Sequence, residues 1–411
     1  MGVVVLIGTL DTKGREYQYM RECLVAAGAE VVLVDVGVLG DPAVRPDVSA
    51  PEVAAAAGAK LEDLRFTREG SDTRAVALDA MGKGALAIVQ GLMAEGRCDA
   101  VLGAAGSGGS TIISAVMREL PLGLPKLLVT TLVSSAASLF GTRDLVLMHS
   151  VTDIAGLNRF SRIILQNAAS AVVGMMSKVA VEDVAEKPVV AITMFGVTTP
   201  GVLRVQDRLI ASGFETIVFH AVGSGGRAME QMIDEGLIDG LVDYTTSELT
   251  DELLGGIFSA GPARLTAAGR RGIPQVVVPG AIEVLNFGPR NSVPAAFDTP
   301  ERRLVIHNPY VSAVRTSRAE AVELARIMSR RLDASRGPTA VVLPLAGFDS
   351  YQKRPDGPFI DEDADSAFCA EVRQALNPRI RCEELALNIN DPAFADQVAA
   401  IFLELWSARE F

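Results

Sequence analysis

The stretch Val101-Leu-Gly-Ala-Ala-Gly-Ser-Gly-Gly-Ser-Thr111 predicts a strand, a tight turn and the start of a helix. The periodic apolar run Ile112-Ile113-x-x-Val116-Met117 follows it. Glycines permit positive φ and a close approach of the backbone to a ligand. The first N–H groups of a helix have no internal partner, and the helix dipole favours negative charge there. We therefore expect a phosphate to bind at this junction.

Residues 106–111, called the glycine turn below, do not match a complete phosphate-binding fingerprint. They lack the Gly-Lys-Ser/Thr ending of a Walker loop, and Thr111 occupies the place of the third glycine in G-x-G-x-x-G. Taken alone, the turn is equally consistent with a small-residue junction that lets a helix pack close to its strand.

Length and composition indicate a two-domain α/β protein. The chain has 411 residues, more than one hydrophobic core usually holds. Apolar residues make up 49% of it and aromatic residues 5%. This balance is typical of small-residue helices that cover sheets of Val- and Ile-rich strands buried on both faces.

Charge and cysteine usage exclude several classes of partner. The net charge of -12 and the lack of a Lys/Arg run argue against direct nucleic-acid binding and against anionic membranes. The four cysteines are scattered, and residues 1–7 predict a strand rather than a signal peptide. No uninterrupted apolar run reaches about 18 residues. We expect a cytoplasmic protein that does not span a membrane.

Four loops with ligand-type residues follow predicted strands, at residues 8–14, 35–40, 106–111 and 130–135. A parallel sheet gathers such loops at one edge, where doubly wound sheets bind ligands, and this favours the phosphate interpretation. The candidate nucleotide-binding residues are Gly8, Thr9, Asp11, Thr12, Lys13, Asp35, Gly106, Ser107, Gly108, Gly109, Ser110, Thr111, Thr130 and Thr131.

These residues would have different roles. The glycines would give backbone room, and the hydroxyls would donate hydrogen bonds. Lys13 would make a charge-assisted contact to phosphate. Asp35 would accept a hydrogen bond from a ribose, although it could equally cap the turn at residues 37–40.

The pattern of apolar strands and glycine-containing loops begins again after Pro188, and this predicts an internal duplication. A helix over residues 154–184 ends at Glu186-Lys-Pro188, so we place the domains at residues 1–186 and 187–411. Leu24-Val-Ala-Ala-Gly-Ala-Glu30 is echoed by Leu209-Ile-Ala-Ser-Gly-Phe-Glu215. The predicted fold is therefore two Rossmann-like, doubly wound parallel-sheet subdomains. Further strands are predicted at residues 275–278, 304–307 and 340–343.

The second copy diverges at the predicted site. Leu241-Val-Asp-Tyr-Thr-Thr-Ser-Glu248 stands where the first copy has the glycine turn, so phosphate binding is expected in the first copy. The three histidines are too far apart for a metal pair, and no metal site is expected. Asp153 and Glu283 are candidate acid–base residues in a cleft between the domains, where a small anionic metabolite could bind. Equally, they could cap turns.

Several long strings are similar to one family. They are Gly255-Gly-Ile-Phe-Ser-Ala-Gly-Pro-x-Arg-Leu-x-Ala-Ala-Gly269, Gly272-Ile-Pro-Gln-Val-Val-Val-Pro-Gly280, Gly8-Thr-Leu-Asp-Thr-Lys-Gly14, Asp153-Ile-Ala-Gly-Leu-Asn-Arg159 and Asn390-Asp-Pro-Ala-Phe394. With the glycine turn, they resemble the bacterial and plant family named after the ATP-binding N-terminal domain of the tomato mosaic virus resistance protein (Tm-one-like). The resemblance spans the chain and implies two Rossmann-like subdomains, ATP binding and self-association.

The predicted function is nucleotide binding at the carboxyl edge of the first domain, with ATP, with or without Mg²⁺, as the ligand. One alternative is an enzyme acting on a small phosphorylated or carboxylated metabolite, whose anion the glycine turn would hold. Another is an interaction protein with a structural nucleotide.

Overall fold

The computed structural model describes residues 2–65, 71–132, 134, 139–177, 187–352 and 357–409, with the backbone alone for residues 71–73. It divides into unit 1, Met1–Asp183, and unit 2, Val184–Phe411. The predicted domain boundary after Glu186 falls at residues outside those described and stays a prediction.

Unit 1 is built on a five-stranded parallel sheet. The strands are β1 (Val3–Gly8), β2 (Glu30–Asp35), β3 (Ala100–Ala105), β4 (Lys126–Thr130) and β5 (Val146–His149), in the order β2-β1-β3-β4-β5. The apolar runs of β1 to β4 are buried on both faces, as the sequence predicts for parallel strands, whereas the edge strand β5 is partly exposed.

Helices cover both faces of this sheet. They are α1 (Leu10–Ala26), α2 (Ala50–Ala56), α3 (Leu61–Leu64), α4 (Ser71–Ala94), α5 (Ser107–Arg118) and α6 (Arg159–Met176). The chain leaves α1 through Gly28, whose φ of +86° favours glycine. The helix predicted at residues 154–184 was wrong at its start. Asn158 caps α6 by accepting N–H bonds from Phe160 and Ser161, so the helix begins at Arg159.

One helix among the described residues, Arg74–Ala94 within α4, has the length and mean hydropathy that a membrane span also has. Its buried residues, Ala77, Met81, Ala85 and Val89, belong to the hydrophobic core of unit 1. A core helix of this kind passes the same test of length and composition as a membrane span.

Unit 2 contains a six-stranded parallel sheet. Its strands are β6 (Val189–Met194), β7 (Glu215–His220), β8 (Gly240–Thr245), β9 (Gln275–Gly280), β13 (Thr339–Pro344) and β14 (Arg381–Leu385). Their order is β7-β6-β8-β9-β13-β14, so the first five repeat the order of unit 1. The covering helices are α7 (Thr199–Ala211), α8 (Ser224–Asp234), α9 (Glu248–Leu254), α10 (Ala267–Arg271), α11 (Arg318–Asp333), α12 (Glu362–Ala375) and α13 (Pro392–Ser407).

A small antiparallel sheet lies between β9 and β13 in sequence. It contains β10 (Val284–Phe287), β11 (Leu304–Asn308) and β12 (Val311–Arg315), in the order β10-β12-β11. The strand predicted at residues 304–307 is present as β11, but it belongs to this antiparallel sheet and not to the parallel one. β11 is followed by a tight turn and pairs with β12, whereas a parallel neighbour needs a longer crossover.

The internal duplication extends to single hydrogen bonds. At the start of β1, Val3 N–H donates to Asp99 Oδ2 at 2.7 Å, and at the start of β6, Val189 N–H donates to Asp239 Oδ2 at 2.8 Å. Gly213, the counterpart of Gly28, has φ +93°. The two units are therefore Rossmann-like copies of one plan.

Candidate functional site

The strand order of unit 1 places a topological switch point between β1 and β3. The chain proceeds from β1 to one side of the sheet and from β3 to the other, so the loops after these strands diverge and leave a crevice. A Cβ built on Gly109 would lie 3.9 Å from Thr9 Cγ2. The glycine turn and the β1 loop are therefore neighbours at this point.

The glycine turn forms the N-terminus of α5. Gly106 is the N-cap residue, and it has no side chain that could cap the helix. Ser110 N–H is the first to bond back, to Gly106 O at 2.9 Å. The amides of Ser107, Gly108 and Gly109 precede it and have no intrahelical acceptor.

The expectation of positive φ in the turn was wrong. Gly106 has φ -77°, and Gly108 and Gly109 lie within the helix and have negative φ. The glycines provide room instead. A Cβ on Gly109 would lie 2.7 Å from Ala105 Cβ, closer than side chains pack.

A basic side chain that the sequence analysis missed lies beside the turn. Arg74, near the start of α4, has its Nη2 atom 3.1 Å from the position of a Cβ on Gly108. A guanidinium next to the first amides of a helix adds positive charge where the helix dipole is already positive. The glycine turn therefore has the electrostatics of an anion site.

The hydroxyls near the turn differ in how they are used. Ser110 Oγ bonds Ala105 O at 3.2 Å and Thr130 Oγ1 at 2.7 Å, and both side chains are buried. Thr111 Oγ1 donates to Ser107 O. The Ser110 bonds hold α5 against the sheet, whereas the Thr111 bond lies within the helix. Thr131 Oγ1 lies 4.0 Å from the position of a Cβ on Gly106, so its hydroxyl is next to the turn. The last residues of the loop predicted at 130–135 include Val133 and Ser135, which lie outside the described residues.

The β1 loop contains predicted phosphate contacts that are engaged within unit 1. Lys13 Nζ donates to Ile154 O, and Thr12 Oγ1 donates to Thr9 Oγ1 at 3.0 Å. Gly8 lies against the Tyr17 ring, because a Cβ there would be 1.9 Å from Tyr17 Cζ. In this structure, Lys13 and Gly8 hold the loop in place.

The two carboxylates on the β2 side are also distinguished by their partners. Asp35 Oδ1 accepts N–H bonds from Leu10 at 3.1 Å and Gly37 at 2.9 Å. Burial raises the pKa of Asp35, and these two bonds lower it. Asp11 Oδ2 accepts from Leu39 N–H at 2.8 Å, whereas its Oδ1 is buried without a partner.

In unit 2, backbone N–H groups of the glycine-rich turn at residues 223–226 donate to a carboxylate of the same unit. Glu248, from the sequence that replaces the glycine turn, accepts N–H bonds from Gly223 at 2.6 Å and Gly226 at 3.1 Å. Its other oxygen receives Arg264 Nε at 2.6 Å. At the switch point of unit 2, Thr198 Oγ1 and Thr245 Oγ1 are 2.8 Å apart and fully buried.

The two predicted acid–base residues lie in different units. Asp153 is exposed, and its Oδ1 accepts Ile154 N–H at 2.8 Å. Glu283 is buried, and within the described residues neither of its carboxylate oxygens accepts a hydrogen bond from an N–H or hydroxyl group. Burial raises the pKa of Glu283 well above its usual range, and the neighbouring Asp349 carboxylate raises it further.

Asp349, which the sequence analysis missed, is the carboxylate next to Glu283. Burial raises the pKa of Asp349 to about 7, while a hydrogen bond with Glu283 lowers it. We call Glu283 and Asp349 the carboxyl pair. Asp349 Oδ1 accepts Gln352 N–H at 3.1 Å, and Gln352 Nε2 donates to Asp365 Oδ2 at 2.7 Å. Gln352 and Asp365 also line a groove of about 730 Å³. Two carboxyl groups in contact at neutral pH hold a proton between them.

Within the described residues, no group of three or more His, Cys, Asp or Glu side chains is placed to hold a metal ion.

The chain matches family models over almost its whole length. Residues 2–181 match the N-terminal domain, and residues 187–406 the C-terminal domain, of the Uncharacterised protein family (UPF0261). The chain belongs to this family. It is 39% identical over 398 residues to a UPF0261 protein of Clostridium tetani, covering 96% of this chain and 97% of the relative.

A plant relative confirms the predicted resemblance. The ToMV resistance protein Tm-1(GCR237) of Solanum lycopersicum is 36% identical over 344 residues, covering 82% of this chain and 45% of the tomato protein. Among solved structures, the Streptomyces glycosyltransferase SsfS6 with thymidine diphosphate is 15% identical, covering 98% of this chain and 96% of that one, with a TM-score of 0.19. A TM-score this low supports no functional inference.

Proposed function

We propose that the protein binds a nucleotide, ATP, through its phosphates at the glycine turn of unit 1. The observation that carries the proposal is the N-terminus of α5, where the cap residue Gly106 has no side chain, at the β1/β3 switch point with the Arg74 guanidinium beside it. Helix amides, the helix dipole and a guanidinium are the groups that bind phosphate in proteins with an acidic overall charge.

The contrast between the two copies supports this assignment. In unit 2, the Glu248 carboxylate accepts hydrogen bonds from the backbone N–H groups of Gly223 and Gly226. The turn after β3 in unit 1 corresponds to the turn after β8 that contains Glu248, and its cap residue is Gly106, which has no side chain that could supply an anion. A phosphate oxygen from outside would supply in unit 1 the negative charge that Glu248 supplies in unit 2. The family resemblance supports ATP as the nucleotide.

The test uses a Gly108→Val variant. A side chain at position 108 points toward Arg74, so it would obstruct an anion held between the guanidinium and the amides. Calorimetry should show ATP affinity reduced about 10- to 100-fold, the range expected when hydrogen bonds to a charged group are lost.

The matched control is Gly91→Val on the exposed face of α4, where a Cβ meets no atom within 4 Å. It carries a similar helix-propensity cost and should bind ATP normally. Equal ATP affinity in wild type and Gly108→Val would contradict the proposal. Binding of a sugar phosphate but not ATP would favour the alternative of a phosphorylated metabolite.

A further inference from the structure

The carboxylates Asp11 and Asp35 lie on the β2 side of the glycine turn, and they are not equally available. Asp35 Oδ1 accepts two backbone N–H bonds, and the residue is 2% exposed. Asp11 uses Oδ2 for Leu39 N–H and leaves Oδ1 buried without a partner. Of the two, Asp11 therefore has an acceptor that the protein does not use.

An unpartnered buried carboxylate oxygen is costly, because it has given up water without gaining a hydrogen bond. Gly37 packs directly against this carboxylate, since a Cβ there would lie 2.7 Å from Asp11 Oδ1 and would displace it. Asp11 Oδ1 is therefore an unused acceptor that a ligand hydroxyl would satisfy.

The position of Asp11 fits one nucleotide together with the glycine turn. Thr9, on the β3 side of the β1 loop, lies next to Gly109, and Asp11, on the other side, contacts residues 37–39 after β2. The loops after β3 and β2 are two strand spacings apart, roughly 10 Å. A di- or triphosphate chain spans such a distance and brings the sugar to the β2 side.

We propose that Asp11 Oδ1 accepts a hydrogen bond from a ribose hydroxyl, so that the site selects ribonucleotides over ligands without that hydroxyl. This rests on the proposed function, because the ribose is placed by phosphates bound at the glycine turn. It assigns to Asp11 the role that the sequence pattern predicts for Asp35, whose carboxylate instead holds the β1 loop to the turn after β2.

The experiment compares wild type, Asp11→Asn and Asp35→Asn with three ligands by calorimetry: ATP, 2′,3′-dideoxy-ATP and inorganic tripolyphosphate. In the Asp11→Asn variant, the side-chain amide oxygen accepts the Leu39 N–H bond in place of Oδ2. The side-chain amide nitrogen then takes the position of Oδ1, so a donor replaces the free acceptor. Wild type should prefer ATP over the dideoxy analogue by about tenfold or more. Asp11→Asn should lose that preference with unchanged tripolyphosphate affinity, and Asp35→Asn should keep it.

Each outcome decides between the two proposals. A preference retained in Asp11→Asn, or missing in wild type, overturns the ribose assignment, while tripolyphosphate binding leaves the phosphate site standing. Loss of the preference in Asp35→Asn alone transfers the contact to Asp35. A structural role for Asp11 would weaken ATP and its dideoxy analogue equally, which also overturns the assignment. Wild type that binds no tripolyphosphate refutes both proposals.

Discussion

Replacement of Asp349 by Asn should stabilise the protein at alkaline pH and have little effect at acidic pH. Asp349 is fully buried beside Glu283, and burial raises its pKa from 3.8 to about 7. A carboxyl group with a raised pKa contributes stability below its unfolded pKa, and that stability is lost as the pH rises through the folded pKa. Asn has the same shape and no charge to desolvate.

The size of the effect follows from the displacement of the pKa. Between 3.8 and about 7, at 1.36 kcal/mol for each pH unit, the folded state prefers the protonated acid by about 4 kcal/mol. This is the upper bound of the gain at pH 8. At pH 4 the wild-type carboxyl is largely protonated in the folded protein, so the variant should differ little. Asn keeps an oxygen for Gln352 N–H and can donate to Glu283.

The assay is urea unfolding at several pH values, followed by the fluorescence of the single tryptophan. Trp406 packs against Phe214 and Phe402 in unit 2, the same unit as Asp349. Asp207→Asn, at an exposed position on α7, is the matched control and should change stability at no pH by more than about 0.5 kcal/mol. If Asp349→Asn is less stable than wild type at pH 8, the carboxylate charge is stabilised by its surroundings and the burial argument is refuted.

Two further predictions concern buried polar groups. Tyr17→Phe should cost about 1–3 kcal/mol in thermal unfolding of unit 1, because Ala104 N–H would lose its acceptor, the Tyr17 hydroxyl. The control is Tyr19→Phe at a half-buried position, and equal losses of stability in the two variants would contradict the reasoning. Arg264→Met should cost about 3–5 kcal/mol in urea unfolding, because Asp243 and Glu248 would be left as buried charges without their partner. The control, Arg270→Met, breaks an exposed ion pair with Asp234 and should cost less than about 1 kcal/mol. Similar costs for the two variants would refute the argument.

The parallel sheets and the duplication could be predicted because their signals are local and repeated. Continuous apolar runs mark the strands, and the same Gly-turn sequences recur before β2 and β7. The antiparallel sheet was missed because β10 and β12 are short and because an irregular stretch separates β10 from β11, so no periodic pattern marks the sheet. The start of α6 was misplaced because its cap, Asn158, competes with an apolar pattern that begins earlier.

The candidate site was predictable at the level of loops but not of partners. The carboxyl ends of parallel strands meet at one edge, so the proximity of Thr9 to the glycine turn follows from the strand pattern. Arg74 comes from a helix that precedes β3, and Asp349 reaches Glu283 from a loop after β13. These contacts depend on tertiary packing, which spacing in the sequence does not encode. Tertiary packing also explains the prediction for Lys13, which was expected to contact phosphate although its ammonium group donates a hydrogen bond to Ile154 O.

The two copies represent two solutions to one physical problem. A helix that begins at the carboxyl edge of a sheet presents amides and a partial positive charge, and it is stabilised by an anion there. Unit 2 supplies that anion as Glu248, which in turn needs Arg264 because a buried carboxylate without a counter-charge is costly. Unit 1 has Gly106 at the cap and small residues behind it, so an anion from outside can approach the same kind of amides. If the glycine turn of unit 1 binds phosphate as proposed, the sequence with a carboxylate at the corresponding turn of unit 2 makes that edge structural without a change of fold, and the duplicated protein keeps one phosphate site.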